Sequence, residues 1–104
     1  MKNDAETTQE WAEFVVNYYG ADNQKIVCLE EMGELTQAIT KDLRGNPDLK
    51  NLAEEIGDVL LTIEQLIVIY RDASGTNFRK SVEHSMIDKM MRTVNRINER
   101  KERF

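Results

Sequence analysis

Two apolar segments of the chain carry nearly the same acidic pattern, and this repetition constrains the fold most strongly. Residues 29–35 read LEEMGEL and residues 53–59 read AEEIGDV, so the acidic runs lie 24 positions apart. Each run holds two acids three positions apart, which share one face of a helix. No segment shows the period-two alternation of a strand. The pattern therefore predicts an all-α chain in which two helices each present a pair of carboxylates.

Sparse turn signals divide the chain into four predicted helices. There is one proline and there are five glycines among 104 residues, a length that suits a single domain over residues 1–104. We expect a four-helix, bundle-like fold. The predicted ranges are about 4–19, 22–44, 46–72 and 77–102. Asp22 is the predicted N-cap of the second helix and Gly45 its stop, and Asn46 caps the third with Pro47 at its first position.

Charge and composition exclude several classes of protein. The net charge is −5, with acids and bases mixed along the chain, which argues against a nucleic-acid partner. No apolar run approaches the roughly 20 residues of a membrane span, and the polar N-terminus lacks the apolar core of a signal peptide. The single cysteine, Cys28, lies on an apolar helix face, so we expect a buried, unreactive thiol. These features predict a cytoplasmic protein without a membrane partner.

The third predicted helix is apolar on more than one side. Leu61 and Val68 lie roughly opposite its main apolar stripe. A helix that is apolar all round needs burial all round, so a domain this small is expected to form a homo-oligomer. The main stripe consists of Leu52, Ile56, Val59, Ile63, Leu66 and Tyr70.

The carboxylate pairs lie at the edges of the apolar stripes. Glu31 and Glu34 flank the stripe of the second helix, and Glu55 and Asp58 flank that of the third, whereas Glu30 points further out. A short connection favours antiparallel packing of these helices, which would bring four carboxylates together. The second-helix stripe consists of Cys28, Met32, Leu35, Ile39 and Leu43.

Four converging carboxylates repel one another, and either protonation or a cation must relieve the repulsion. Ligand sets made only of oxygen favour magnesium or manganese over zinc. Gly33 and Gly57 each weaken a helix interior by roughly 1 kcal/mol relative to alanine. We therefore expect these glycines to permit close approach of a neighbouring helix or a ligand.

Two other interpretations of the acids compete with this one. Acids at helical spacing are usually solvated, but two matched sets at core edges favour a site. A di-iron centre would need Glu-x-x-His on two helices. The only histidine, His84, lies on neither acidic helix, and we expect it to be a solvated residue of the last helix.

The last helix carries a basic row. Lys89, Arg92 and Arg96 are spaced three and four apart, so they line one flank of that helix. They are candidates for contacts with phosphate; the alternative is a solvated basic helix end, favoured by the helix dipole. Trp11 on the first helix is a candidate to stack on a base, and the alternative is a core position.

Three stretches carry a resemblance to a known family. The sequences LEEMGELTQAITKDLRG, NLAEEIGDVLLTIEQLIVIY and KMMRTVNRINER resemble the second, third and last helices of the MazG-like all-α nucleotide pyrophosphohydrolases. The likeness covers roughly residues 8–100. It implies hydrolysis of a nucleoside triphosphate to the monophosphate and pyrophosphate with Mg²⁺, for which Mn²⁺ can substitute. It also implies assembly as homodimers or homotetramers.

The resemblance implies roles for particular residues. The metal ligands would be Glu31, Glu34, Glu55 and Asp58. Glu30 would orient or deprotonate the attacking water, with Glu31 beside it in the catalytic set. The triphosphate would contact Lys89, Arg92 and Arg96. The alternative is a helical module that senses nucleotides or binds a protein without catalysis; all four acids are present, which favours the enzyme.

Overall fold

Four α-helices make up the described part of the chain. The computed structural model describes residues 7–71, 73 and 77–103, and that part of the chain contains no strand. The helices are α1 (Thr8–Tyr19), α2 (Ala21–Leu43), α3 (Leu49–Tyr70) and α4 (Phe78–Arg103). The predicted all-α fold class with four helices is confirmed. Among the described helices, none combines the length and apolarity needed to span a membrane.

Side-chain caps set where α1 and α4 begin. The backbone N–H of Glu10 donates to Thr7 Oγ1 over 3.0 Å, which satisfies one of the free donors of the first turn. The helix therefore begins at Thr8, and the predicted start at about Asp4 lies outside the described residues. In α4 the N–H of Lys80 donates to Asn77 Oδ1 over 3.2 Å. The helix begins at Phe78, one residue after its predicted start.

The turn between α2 and α3 begins with a glycine stop. Gly45 has φ of 86°, a conformation that favours glycine. The N–H of Gly45 donates to the carbonyl of Asp42 (2.9 Å) and that of Asn46 to Lys41 (3.1 Å), the two bonds of a Schellman motif. The predicted helix stop at Gly45 is confirmed.

Two predicted N-caps are each wrong by two residues. The cap of α2 is Gly20, with φ of 93°, and Asp22 lies inside the first turn. At α3 the N–H of Asn51 donates to Asp48 Oδ1 over 3.0 Å. The helix thus begins at Leu49, because a carboxylate after Pro47 competes successfully with Asn46 for the cap.

The chain divides into two compact units, residues 1–70 and 71–104. In the first unit α3 packs against both α1 and α2, and most extensively against α2. A hydrogen bond joins the side chains of Gln24 and Gln65 across α2 and α3, and one carboxylate oxygen of Glu34 lies within 4.8 Å of one of Glu55. Residue numbers rise along α2 as they fall along α3, so the two helices are antiparallel, as predicted. The buried residues are Ala12, Gln24, Cys28, Ala38, Val59, Thr62, Gln65, Ile67 and Val68.

The buried face of α2 differs from the predicted stripe. Cys28 is buried and free, as expected, but Met32, Ile39 and Leu43 are exposed. Gln24 and Ala38 are buried instead, so the face turned toward α3 is rotated toward the acidic flank. This rotation brings the carboxylates nearer to the helix interface than the apolar periodicity suggests.

The glycines in the acidic motifs do not mark a close helix contact. A Cβ atom built on Gly33 or Gly57 meets no atom within 4 Å. No other helix in the described part of the chain approaches closely there, so that part of the expectation is wrong, and close approach of a ligand stays a prediction.

The second unit contains α4, which is amphipathic. Its apolar side chains Met86, Met90, Val94 and Ile97 are all about half exposed. The basic residues Lys89, Arg92 and Arg96 are exposed, and so is His84, as predicted.

Candidate functional site

Three carboxylates from α2 and α3 converge in the first unit. One oxygen each from Glu31, Glu34 and Glu55 lies within 4.8 Å of the other two. Asp58 belongs to the same electrostatic cluster, because its charge acts on Glu31 and Glu55. The antiparallel register of α2 and α3 explains this convergence, because it places Glu34 of α2 beside Glu55 of α3.

Two oxygens of the cluster lack any hydrogen-bond partner. Glu31 Oε2 and Glu55 Oε2 are both buried and unpaired. A buried polar atom without a partner costs free energy, and a charged one costs more. A proton or a cation between the helices would remove that cost. The donor set, carboxylate oxygens alone, suits Mg²⁺ or Mn²⁺.

The electrostatics of the cluster favour protonation when no cation is bound. Loss of hydration raises the pKa of Glu31 above 4.5, and the charges of Glu34, Asp58 and Glu55 add to this increase. The pKa of Glu55 is raised for the same reason, with burial as the largest cause and the charge of Glu34 next. Both groups therefore resist ionisation in the folded state.

These raised pKa values predict how stability depends on pH in metal-free buffer. When the folded pKa of an acid exceeds the unfolded one, the folded chain binds more protons between the two values. The contribution of Glu31 and Glu55 to stability is thus full below their ordinary pKa of 4.5. It is lost as pH rises through the raised values.

Urea unfolding in EDTA measures this effect. The free energy of unfolding of the wild-type chain should fall, relative to a Glu31→Gln/Glu55→Gln variant, as pH rises above the ordinary carboxyl pKa of 4.5. The two chains should converge below the ordinary carboxyl pKa. Parallel pH profiles for the two proteins would show that ionising Glu31 and Glu55 does not destabilise the folded chain.

A cleft of about 440 Å³ opens beside the carboxylates. Glu31 and Asp58 form part of its wall, and Trp11 and Tyr19 contribute aromatic surface from α1. The cleft thus combines an acidic edge with an aromatic wall, a combination typical of a small-molecule site. Its remaining lining residues are Val15, Gln24, Val27, Leu61, Thr62 and Gln65.

The other predicted site residues occupy different positions. Glu30 is exposed on α2, consistent with its prediction to point further out than Glu31. Two other aromatic residues of α1, Phe14 and Tyr18, are exposed and do not line this cleft. The basic residues predicted to bind phosphate lie on α4, in the second unit: Lys89, Arg92 and Arg96.

Sequence reasoning missed two buried amides in the cleft. Gln24 Nε2 donates to Gln65 Oε1 over 2.6 Å, and both residues are buried. The spacing offered a signal, because Gln24 lies seven positions before Glu31 and Gln65 seven positions after Asp58. Residues seven apart share a helix face, so each amide lies two turns along from an acid.

Comparison with known proteins gives one match. Residues 21–97 match the model of the MazG nucleotide pyrophosphohydrolase domain. The match includes both acidic motifs and most of α4. No curated protein and no solved structure gives a significant match.

Proposed function

Because this chain belongs to the MazG nucleotide pyrophosphohydrolase family, we propose that it hydrolyses nucleoside triphosphates with Mg²⁺. Membership of the family indicates nucleotide pyrophosphohydrolysis in general. The products are the nucleoside monophosphate and pyrophosphate. We also propose that residues 1–104 act as a single domain of this type and work in the cytoplasm, which cell fractionation tests.

The unpaired oxygens of Glu31 and Glu55 are the observation that carries this proposal. They are buried within a cluster of carboxylates whose oxygens approach to 4.8 Å. An arrangement so costly for the free protein is reasonable when a cation completes it. A polyphosphate requires such a cation, and the adjoining cleft has room for the rest of a nucleotide.

The proposed ligands are Glu31, Glu34, Glu55 and Asp58. Bound Mg²⁺ would neutralise charge on the triphosphate and polarise its phosphoryl oxygens. Glu30 orients a water molecule toward the α-phosphorus and takes its proton. The water oxygen bonds to that phosphorus, the bridge from the α- to the β-phosphate breaks, and pyrophosphate departs with the bonding electron pair.

We propose substrate-binding roles for two further groups of residues. Trp11 stacks on the base in the cleft, since an aromatic ring in its wall offers a face to any base. The basic row of α4 neutralises phosphate oxygens, because its three members are exposed cations at helical spacing: Lys89, Arg92 and Arg96.

The role of the basic row can be measured with a matched pair of lysines. Lys89→Gln should raise KM for the triphosphate at least about tenfold, because a charge-assisted hydrogen bond is lost. Lys80→Gln, which removes an exposed charge from the first turn of the same helix, should leave KM unchanged. Equal effects of the two substitutions would assign the row to the solvated surface.

A panel of the eight common ribo- and deoxyribonucleoside triphosphates tests the proposed reaction. With Mg²⁺ the protein should release pyrophosphate, and the same panel in EDTA is the control. Release of orthophosphate alone would show that a different bond is cut. Saturable nucleotide binding without turnover would instead favour a non-catalytic nucleotide sensor on the same fold.

We further propose that the chain is a homo-oligomer, a dimer or tetramer. Ile56, Leu60 and Ile63 lie on one face of α3 and are substantially exposed in the single chain. Exposed apolar faces of this kind mark interaction surfaces, and a second copy of the chain is the occupant we propose. Sedimentation should give a mass above that of one chain, and Leu60→Glu should reduce it. A monomer at micromolar concentration would contradict this assembly.

A further inference from the structure

The buried amide pair of the cleft has chemistry that the proposed reaction does not use. Gln24 and Gln65 are 6% and 3% exposed, and a hydrogen bond of 2.6 Å joins them. Two helices can pack through apolar side chains alone, so their packing does not require these buried amides. Both side chains nevertheless belong to the wall of the same cleft as Trp11 and Glu31.

The bond between the two amides leaves a defined polar pattern. Each glutamine side chain has one carbonyl oxygen and one amino group. Because the Gln24 amino group donates to the Gln65 carbonyl, the Gln24 carbonyl remains as an acceptor and the Gln65 amino group as a donor. An adjacent acceptor and donor match the edge of a nucleobase, which presents a donor beside an acceptor.

The position of the pair along the helices fits a base. Gln24 and Gln65 each lie seven residues from an acid of the cluster, Glu31 and Asp58 respectively. Seven residues of α-helix span about 10 Å. A nucleotide whose phosphates reach the acids would therefore extend its sugar and base along the cleft toward the amides.

Building on the proposed function, we propose that the Gln24–Gln65 pair reads the hydrogen-bonding edge of the substrate base and thereby sets nucleotide selectivity. Trp11 provides stacking, which any base satisfies. The amide pair provides discrimination, because a polar site rejects an edge that leaves its groups unpaired.

Substitution of both glutamines separates this role from a structural one. A single Gln→Met change leaves the other amide buried without its partner, which destabilises the fold. The double variant Gln24→Met/Gln65→Met removes both polar groups at similar volume, so it should retain the helical circular dichroism of the wild-type chain. Gln9→Met, at an exposed position of α1, is the control.

Binding is measured without turnover. The probes are the α,β-methylene triphosphate analogues of uridine, cytidine, adenosine and guanosine. The readout is the fluorescence of Trp11, the only tryptophan of the chain. In the wild type and the Gln9→Met control, the dissociation constants of the tightest and weakest analogues should differ by at least about tenfold. In the double variant this ratio should fall to about threefold or less.

A second variant tests the hydrogen-bond pattern itself. Gln65→Glu still accepts the bond from Gln24, but its remaining atom is an acceptor rather than a donor. The four analogues should therefore weaken unequally, and their order of affinity should change. An equal loss for all four analogues would contradict base reading.

The outcomes distinguish this inference from the proposed function. Selective binding that collapses in the double variant supports base reading even if no pyrophosphate is ever released. Normal pyrophosphate release with unchanged selectivity in the double variant overturns base reading and leaves the proposed reaction standing. A wild-type chain that binds all four analogues equally also overturns it.

Discussion

Substituting Glu31 by glutamine is expected to lower kcat/KM for triphosphate hydrolysis by about 10²–10³. The change keeps the shape of the side chain but removes a negative ligand whose buried oxygen has no partner in the free protein. Metal occupancy and charge stabilisation would fall together. Steady-state pyrophosphate release at saturating Mg²⁺ measures the loss.

The same substitution is expected to stabilise the metal-free protein at neutral pH. The pKa of Glu31 is raised by burial and by neighbouring carboxylates, so a neutral amide avoids the cost of ionising that group. Glu83→Gln, at an exposed position of α4, should change neither activity nor stability. Near-normal turnover of the Glu31→Gln protein would remove Glu31 from the site.

Removal of divalent cations is expected to lower activity by about 10³ or more, because a bound ion contributes several kcal/mol of charge stabilisation. EDTA should abolish pyrophosphate release, and added Mg²⁺ or Mn²⁺ should restore it. The melting temperature measured in the same buffers provides a second readout. Both ions should raise it for the wild type, because a ligand that binds only the folded state stabilises that state.

The Glu31→Gln/Glu55→Gln variant is the control for cation binding. It has neutral amides in place of the two carboxylates that carry the buried unpaired oxygens, so its melting temperature should not respond to Mg²⁺. Full activity in EDTA, or an equal thermal response of the two proteins, would contradict a cation at this cluster.

The convergence of the acids was predictable because it depends on two simple regularities. Acids three apart share a helix face, and a short turn makes consecutive helices antiparallel. The prediction that these acids converge therefore needed only their spacing and the glycine stop at Gly45. The structure brings together Glu31, Glu34 and Glu55.

The orientation of α2 was less predictable, because apolar periodicity does not reveal which of two adjacent stripes of a helix packs against the other helices of the chain. Met32, Ile39 and Leu43 are exposed, while the flank with Gln24 and Ala38 is buried. An exposed apolar stripe and an apolar stripe that packs on α3 look alike in sequence. The predicted cap of α3 was wrong for a local reason. Asn46 and Asp48 are both good cap residues, and the turn geometry selects Asp48.

The amide pair could not have been singled out from sequence alone. Glutamine is common on solvated helix faces, and Gln24 and Gln65 are 41 positions apart. Only the register of α2 and α3 brings them together. Their heptad distance from the acids becomes informative once that register is known.

Anomalous diffraction from crystals grown with Mn²⁺ tests the central claim most directly. We expect an anomalous peak between α2 and α3, coordinated by the carboxylate oxygens of Glu31, Glu34 and Glu55. A fully occupied Mn²⁺ bound elsewhere, with these three carboxylates turned to solvent, would contradict the proposal that α2 and α3 hold the ion.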